Sequence, residues 1–369
     1  MTYSILLLSR YTRKGPSSRV RHFDYVPALE QAGFEVTCAP FLDDEYIERL
    51  FGGKPRRPQT FLKAYWRRLR QIAAARRFDL IWVEKEALPW LPAIMECALL
   101  QGRPVVVDFD DAWYLRYATH RNPAVRSLLG HKLETVAAKA KVVTAGNSML
   151  ADWAKSSGAG RVIEIPVAVN IDRYPVLPLP EGPFVIGWIG TPMNDAYLAL
   201  ISEPLRHLHA TYGARLRLIG GTGQFSIRGV AIDNVPWSED TEALELARCH
   251  VGVMPLRDAA WERGKCGYKV IQYMAAARPA VASAVGAGTS IIVPGETGFL
   301  ANSVEEWIGA LGMLAADRER TRMLGLAARG RAEAVYSVQC NAPKLIEILQ
   351  DAVASSDLDH APRGRRHGC

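Results

Sequence analysis

Eleven short apolar runs, interleaved with amphipathic stretches, constrain this chain more than any other feature. Runs that stay apolar without alternating suit strands buried on both faces, and strands separated by helices predict parallel β/α/β units. The first series comprises residues 3–9 (YSILLLS), 34–39 (FEVTCA), 80–83 (LIWV), 105–109 (VVVDF), 142–145 (VVTA) and 162–166 (VIEIP). Residues 21–32 carry helical spacing, with Phe23, Val26, Pro27 and Leu29 on one face and Gly33 as a stop. A cluster of prolines (Pro166, Pro175, Pro178, Pro180, Pro183) then predicts a stiff linker. The second series comprises residues 184–190 (FVIGWIG), 215–221 (RLRLIGG), 250–256 (HVGVMPL), 280–283 (AVAS) and 298–301 (GFLA). Helices are expected over 195–212, 241–248, 268–277, 304–315 and 318–336.

The division that follows is a first Rossmann-like domain over 1–170, a linker over 171–183 and a second Rossmann-like domain over 184–337. A last helix over 338–353 is placed to pack back on the first domain, and a polar tail over 354–369 is expected to be disordered. Open α/β sheets bind ligands outside the carboxyl ends of their strands, so two doubly wound domains facing each other leave a cleft between those ends.

Composition narrows the function classes. With 49% hydrophobic residues in 369, a core of ordinary size forms without disulfides or metal. The six cysteines include no Cys-x-x-Cys pair and read as reduced thiols of a cytoplasmic protein. The apolar run 5–8 lacks the flanks of a signal peptide, and 88–95 is too short to span a bilayer, so a soluble or peripheral protein is expected. The eight histidines form no ligand-spaced cluster. Gly220, Gly221 and Gly223 do not make a dinucleotide fingerprint. A net charge of +7 favours an anionic partner. No nucleic-acid motif accompanies it, so nucleic acid is not expected.

The densest chemistry lies in residues 256–283. Gly264 and Gly267 let backbone approach a ligand, the helix beginning near Gly267 directs free N–H groups at it, and Lys265 and Lys269 add charge, which makes a site for a diphosphate. The plain alternative is a loop with solvated lysines. This stretch, with QYMAAARPAVAS (272–283), GETGFLA (295–301), IPVAVNIDRYP (165–175) and WIGTP (188–192), resembles the donor-binding region of family 4 glycosyltransferases. The resemblance covers the second domain nearly completely and the first by layout.

It implies the GT-B fold, a nucleotide-sugar donor held by the second domain at Gly190, Thr191, Lys265, Gly267, Lys269 and Gln272, and an acceptor on the first. It also implies retention of configuration, with no cofactor and no obligatory metal. A pair of glutamates usual in the family falls on Gly264 and Gln272 here, and an Arg and a Lys usual near residues 190–195 are absent. Gln272 keeps an acceptor for a ribose, Glu262 is a candidate substitute for the missing carboxylate, and Lys265 and Lys269 are candidates for the missing charge.

Two loops of the first domain complete the expectation. Gly15, Ser17, Ser18 and Arg19 follow the first strand, where the family places a donor/acceptor loop. Asp110 and Asp111 follow VVVDF, where the resemblance places a His-Asp pair, and they are the candidate catalytic carboxylates. Helix capping is the competing role for them. Residues 54–77 hold nine basic side chains and no acidic one, with Phe61, Leu62, Tyr65, Trp66, Leu69 and Ile72 at helical spacing. Such a segment either lies on anionic lipid or packs its aromatics inward and leaves a solvated basic back.

The expected activity is transfer of a sugar from a nucleotide sugar to a sugar or lipid-linked acceptor in glycan or polysaccharide synthesis, in the cytoplasm or on the inner face of the membrane. The alternative is a non-catalytic nucleotide-sugar binding protein on the same fold.

Overall fold

A computed structural model describes residues 2–55 and 57–360, the side chains of 355–360 excepted. Two sheets, each wholly parallel, carry the chain. The first contains β1 (Tyr3–Leu8), β2 (Phe34–Cys38), β3 (Leu80–Glu84), β4 (Val105–Phe109), β5 (Val142–Ala145) and β6 (Val162–Glu164), in the order β2-β1-β3-β4-β5-β6. The second contains β7 (Val185–Ile189), β8 (Arg215–Ile219), β9 (Ile232–Val235), β10 (Val251–Met254), β11 (Ala280–Ala282) and β12 (Gly298–Leu300), in the order β12-β11-β10-β7-β8-β9. In each sheet the strand order reverses beside the domain's first strand. That places switch points between β1 and β3 and between β7 and β10, where α/β sheets bind ligands.

β3, β4, β5, β7, β10 and β11 are buried nearly throughout, as their unbroken apolar runs require. The strand missing from the sequence reading, β9, is a half-buried edge whose IDNV has no apolar run to announce it. Prolines account for two differences among helices. The stretch expected as one helix over 21–32 is a π-turn, Arg19–Phe23, followed by a helix, Val26–Gln31. That expected over 195–212 is a 3-10 segment, Pro192–Ile201, and then a helix, Ser202–Tyr212. Pro27 and Pro204 each fall in the first turn of the restarted helix, where a backbone N–H has no partner to lose.

The domains are joined twice. Just before the expected linker, and at its first residue, the chain is fixed: Val167, Val169 and Ile171 are buried, and Val169 exchanges backbone hydrogen bonds with the returning chain at Tyr336 and Val338. The last helix, Val338–His360, then packs Leu345, Ile348 and Leu349 against Ile5, Trp82 and Val106 of the first sheet. It runs past residue 353, where the sequence reading ended it. The polar composition of 354–360 does not end the helix; the rest of the expected tail, 361–369, lies outside the described residues.

Candidate active site

The cleft between the sheets has a cavity volume of about 360 Å³ and is lined by the loops after β1, β3 and β4 on one side and after β7 and β10 on the other. All the sequence-predicted site residues line it except Ser18.

On the second-domain wall, the helix Tyr268–Ala275 begins at Gly267, whose φ of 71° favours glycine. Lys269 stands over the Trp188 ring, 4.0 Å from its centroid, and close against Gly190; a Cβ on Gly190 would lie 2.7 Å from the ammonium and 2.4 Å from Trp188. Burial, and then the neighbouring Lys265, push the Lys269 pKa down to about 7. Neither lysine forms an ion pair among the described residues. Lys265, and Lys269 which an anion would hold protonated, stand without ion pairs beside a helix start and a glycine-walled loop and make a site that an anion would complete. Thr191 caps the segment after β7 and accepts from Asn194 at 3.0 Å. Gln272 is buried and donates from Nε2 to the Tyr174 hydroxyl at 3.1 Å, which orients its carbonyl oxygen.

The substitutions for the family's first glutamate come out differently from expectation. Gly264 packs against the first domain, where a Cβ would lie 2.4 Å from Ala112 Cβ. Glu262 is buried and held by the Tyr197 hydroxyl, off the cleft, so it does not replace that carboxylate.

On the first-domain wall the two aspartates part company. Asp110 pairs with Lys85 Nζ at 2.6 Å and is bonded by Ser17 Oγ. Burial opposes its charge, but Lys85 and these hydrogen bonds hold its pKa down to about 2. Asp111 has no such partner, and burial and the Asp110 charge push it up to about 6. Adjacent carboxyls driven apart in this way are the usual arrangement of an acid/base site, with Asp111 the group free to titrate.

Ser17 accepts from Lys85 at 2.8 Å, so it belongs to the same network. Ser18 is fully buried, donating to Glu84 at 2.6 Å and accepting from the Tyr11 N–H; its role is to hold the loop. Gly15 lies where a Cβ would strike Tyr11 at 2.4 Å. Arg19 crosses to the second domain, over the Trp237 ring at 4.8 Å, with Nη2 3.4 Å from Glu242, Nη1 3.8 Å from Glu239, and Nε buried without a hydrogen bond.

Lys85, which organises this wall, was missed by the sequence reading, as was the rest of residues 84–86. Glu84 accepts from the Arg10 N–H at 2.8 Å and from both serines; Glu86 binds Lys132 at 2.7 Å and Arg10 at 3.2 Å. Lys85 has a φ of 63°, uncommon for a residue with a side chain. The available signal was three charged residues, 84–86, directly after the apolar run 80–83 at the switch point.

The domains meet around this site. Asn147 donates to the Gly264 carbonyl at 3.1 Å, Cys266 Sγ lies 2.7 Å from the Asp110 carbonyl, and Arg13 donates to Glu239 at 2.7 Å. Domain closure therefore sets the loop that carries Asp110 and Asp111 against the loop that carries Lys265 and Gly267.

Residues 183–317 match the model of the family "Glycosyl transferases group 1". Comparison with curated proteins found no match. Among solved structures, sucrose-phosphate synthase from Thermosynechococcus elongatus is 16% identical, with 96% of this chain and 100% of that chain covered at a TM-score of 0.73. The Anabaena protein HepE in complex with UDP-glucose is 14% identical, with 95% and 100% covered at a TM-score of 0.65. A glycosyltransferase from Rickettsia africae is 13% identical, with 95% and 99% covered at 0.66. The chain thus has the GT-B fold, and its second domain carries the match to the group 1 glycosyltransferases.

Proposed function

We propose that this chain is a glycosyltransferase that moves a sugar from a nucleoside-diphosphate sugar to a hydroxyl of a sugar or lipid-linked acceptor, in glycan or polysaccharide synthesis. The observation that carries the reading is the pair of lysines without ion pairs among the described residues, Lys265 and Lys269, across the cleft from Asp111. The bond between the anomeric carbon and the diphosphate oxygen breaks, the acceptor oxygen takes its place, and the acceptor's proton passes to the leaving diphosphate. The two lysines and the start of the helix Tyr268–Ala275 stabilise the leaving diphosphate without a metal. Asp111, ionised at neutral pH, stabilises positive charge developing at the anomeric carbon. Retention of configuration and a cytoplasmic place of action, peripheral on the inner face of the membrane, complete the proposal.

HepE binds UDP-glucose, which makes that compound the first donor to offer. Release of nucleoside diphosphate from a panel of nucleotide sugars tests the reading. Turnover is expected with at least one donor, reduced at least about tenfold in Lys265→Ala, a loss of about 1.4 kcal/mol in the transition state. The second reading, a nucleotide-sugar binding protein without turnover, is favoured by Gly264, which has no carboxylate to offer the sugar. Donor-dependent stabilisation with no release of diphosphate would select it.

A further inference from the structure

The basic helix Pro58–Ala73 does bury part of its apolar face: Ala64 and Ile72 are buried, Phe61 and Tyr65 half-buried. Arg68 is also buried, donating to the Ser9 carbonyl at 2.6 Å, so it is no part of a solvated basic back. A second apolar stripe remains outside. Leu62 is 72% exposed and Trp66 67%, with Leu69 following at the next turn. Beside it runs the helix Ala93–Leu99, which packs on the same core and presents Ile94, 76% exposed, with Met95 and Leu99. Leu69 and Leu99 line one groove between the two helices, rimmed by Arg76 and Arg103. Large apolar side chains gathered this way mark an interaction surface.

Charge identifies the occupant. Lys63, Arg70, Arg76, Arg77 and Arg103 are exposed around these stripes and form no ion pair among the described residues. Residues 57–77 contain no acidic side chain, and the one in 89–103, Glu96, is buried beneath the surface and bonded to the Ala87 and Leu88 N–H groups. A second copy of this face would be repelled by its own charge, and a protein partner would need an acidic rim around an apolar centre. An anionic lipid surface supplies both at once: phosphates for the cations and acyl chains for Leu62, Ile94 and Leu99. Trp66 suits the boundary between them.

We propose that the two helices together form a docking face for an anionic bilayer, with Ile94, Met95 and Leu99 entering the lipid beside the basic helix. The inner side of the helix Pro58–Ala73 packs through Phe61 and Tyr65 on the helix Asp44–Phe51, whose Ile47, Leu50 and Phe51 line the cleft. Docking therefore sets the acceptor side of the cleft one helix away from the membrane, where a lipid-borne acceptor arrives. This last step rests on the proposed transfer reaction; the docking itself does not.

Co-sedimentation of the full chain with vesicles of phosphatidylglycerol and phosphatidylcholine, and of phosphatidylcholine alone, tests it. Binding is expected only to the anionic vesicles and is reversed by salt. It weakens at least about tenfold in Lys63→Glu/Arg70→Glu, in Leu62→Ser/Trp66→Ser and in Ile94→Ser/Leu99→Ser. All six positions are exposed, so unchanged thermal unfolding of each variant shows that folding is intact. Absence of binding at low salt, binding insensitive to the Ile94/Leu99 change, or single-stranded RNA bound in place of vesicles would each overturn the proposal. So would a solution dimer that the charge reversal dissolves. Failure of vesicle binding with nucleotide-dependent stabilisation intact counts against docking alone and leaves the transfer reaction standing.

Discussion

Asp110 and Asp111 are neighbours in sequence with opposite assignments, and one lysine accounts for the difference. Lys85 lies 2.6 Å from Asp110 and keeps it ionised, so burial and then the charge that Asp110 retains raise Asp111 to about 6. Asp111 then binds a proton in the folded chain at a pH where the unfolded chain has released it. A raised carboxyl pKa costs stability as pH rises through about 6, and Asp111→Asn removes that cost. The variant is expected to be more stable at pH 7, by up to about 3 kcal/mol for a carboxyl moved from 3.8 to about 6, with the gain vanishing below about pH 4, as read by thermal unfolding. The same substitution should abolish the acid limb near pH 6 in the kcat/KM profile and lower turnover at neutral pH. A variant that loses stability and keeps its turnover would make Asp111 a structural residue. Asp110 and Asp111 were legible in the sequence as a pair at a strand end. Their division of roles was not, because it is set by a lysine that follows a different strand, twenty-five residues away in the chain.

The elements that build the site are a strand end, a tight loop and a helix start, repeated in each domain. In the second domain Gly190 follows β7, and the absence of a side chain lets Lys269 Nζ stand against the loop. Gly190→Ala is therefore expected to displace Lys269 and weaken nucleoside-diphosphate affinity at least about tenfold, near 1.4 kcal/mol, as read by calorimetry. Unchanged affinity would remove the β7 loop from the anion site. Most of these elements could be read directly, because strands buried on both faces leave an unbroken apolar run. The edge strand β9, half-buried with Asp233 and Asn234, leaves none. Helix continuity was overread at Pro27 and Pro204, since periodicity persists across a break that the missing N–H imposes.

The whole molecule brings these two half-sites together, and the contact that does so was hidden from the sequence. Gly264, which aligns with a glutamate in the family resemblance, is the point at which the second domain touches Ala112 of the first, and a Cβ there would also stand 3.0 Å from the Ala112 backbone nitrogen. Gly264→Glu is accordingly expected to push the domains apart, raising the radius of gyration in solution scattering and lowering catalytic turnover instead of restoring a family contact. A variant as compact and as active as the parent chain would show that closure does not depend on this approach. Among the described residues no helix is long and apolar enough to cross a membrane. Fold and cleft were thus legible from the pattern of strands, whereas the closed arrangement depends on contacts between residues more than a hundred positions apart, such as Asn147 with Gly264 and Arg19 with Glu242. The central claim is that this closed cleft holds a nucleoside diphosphate on Lys265 and Lys269, and thermal unfolding against a panel of nucleoside diphosphates tests it most directly. At about 100 times its dissociation constant the correct one stabilises the chain by about 2.7 kcal/mol, and the gain is lost in Lys265→Ala/Lys269→Ala. A melting temperature unmoved by every nucleoside diphosphate, or moved equally in the double variant, would contradict the account.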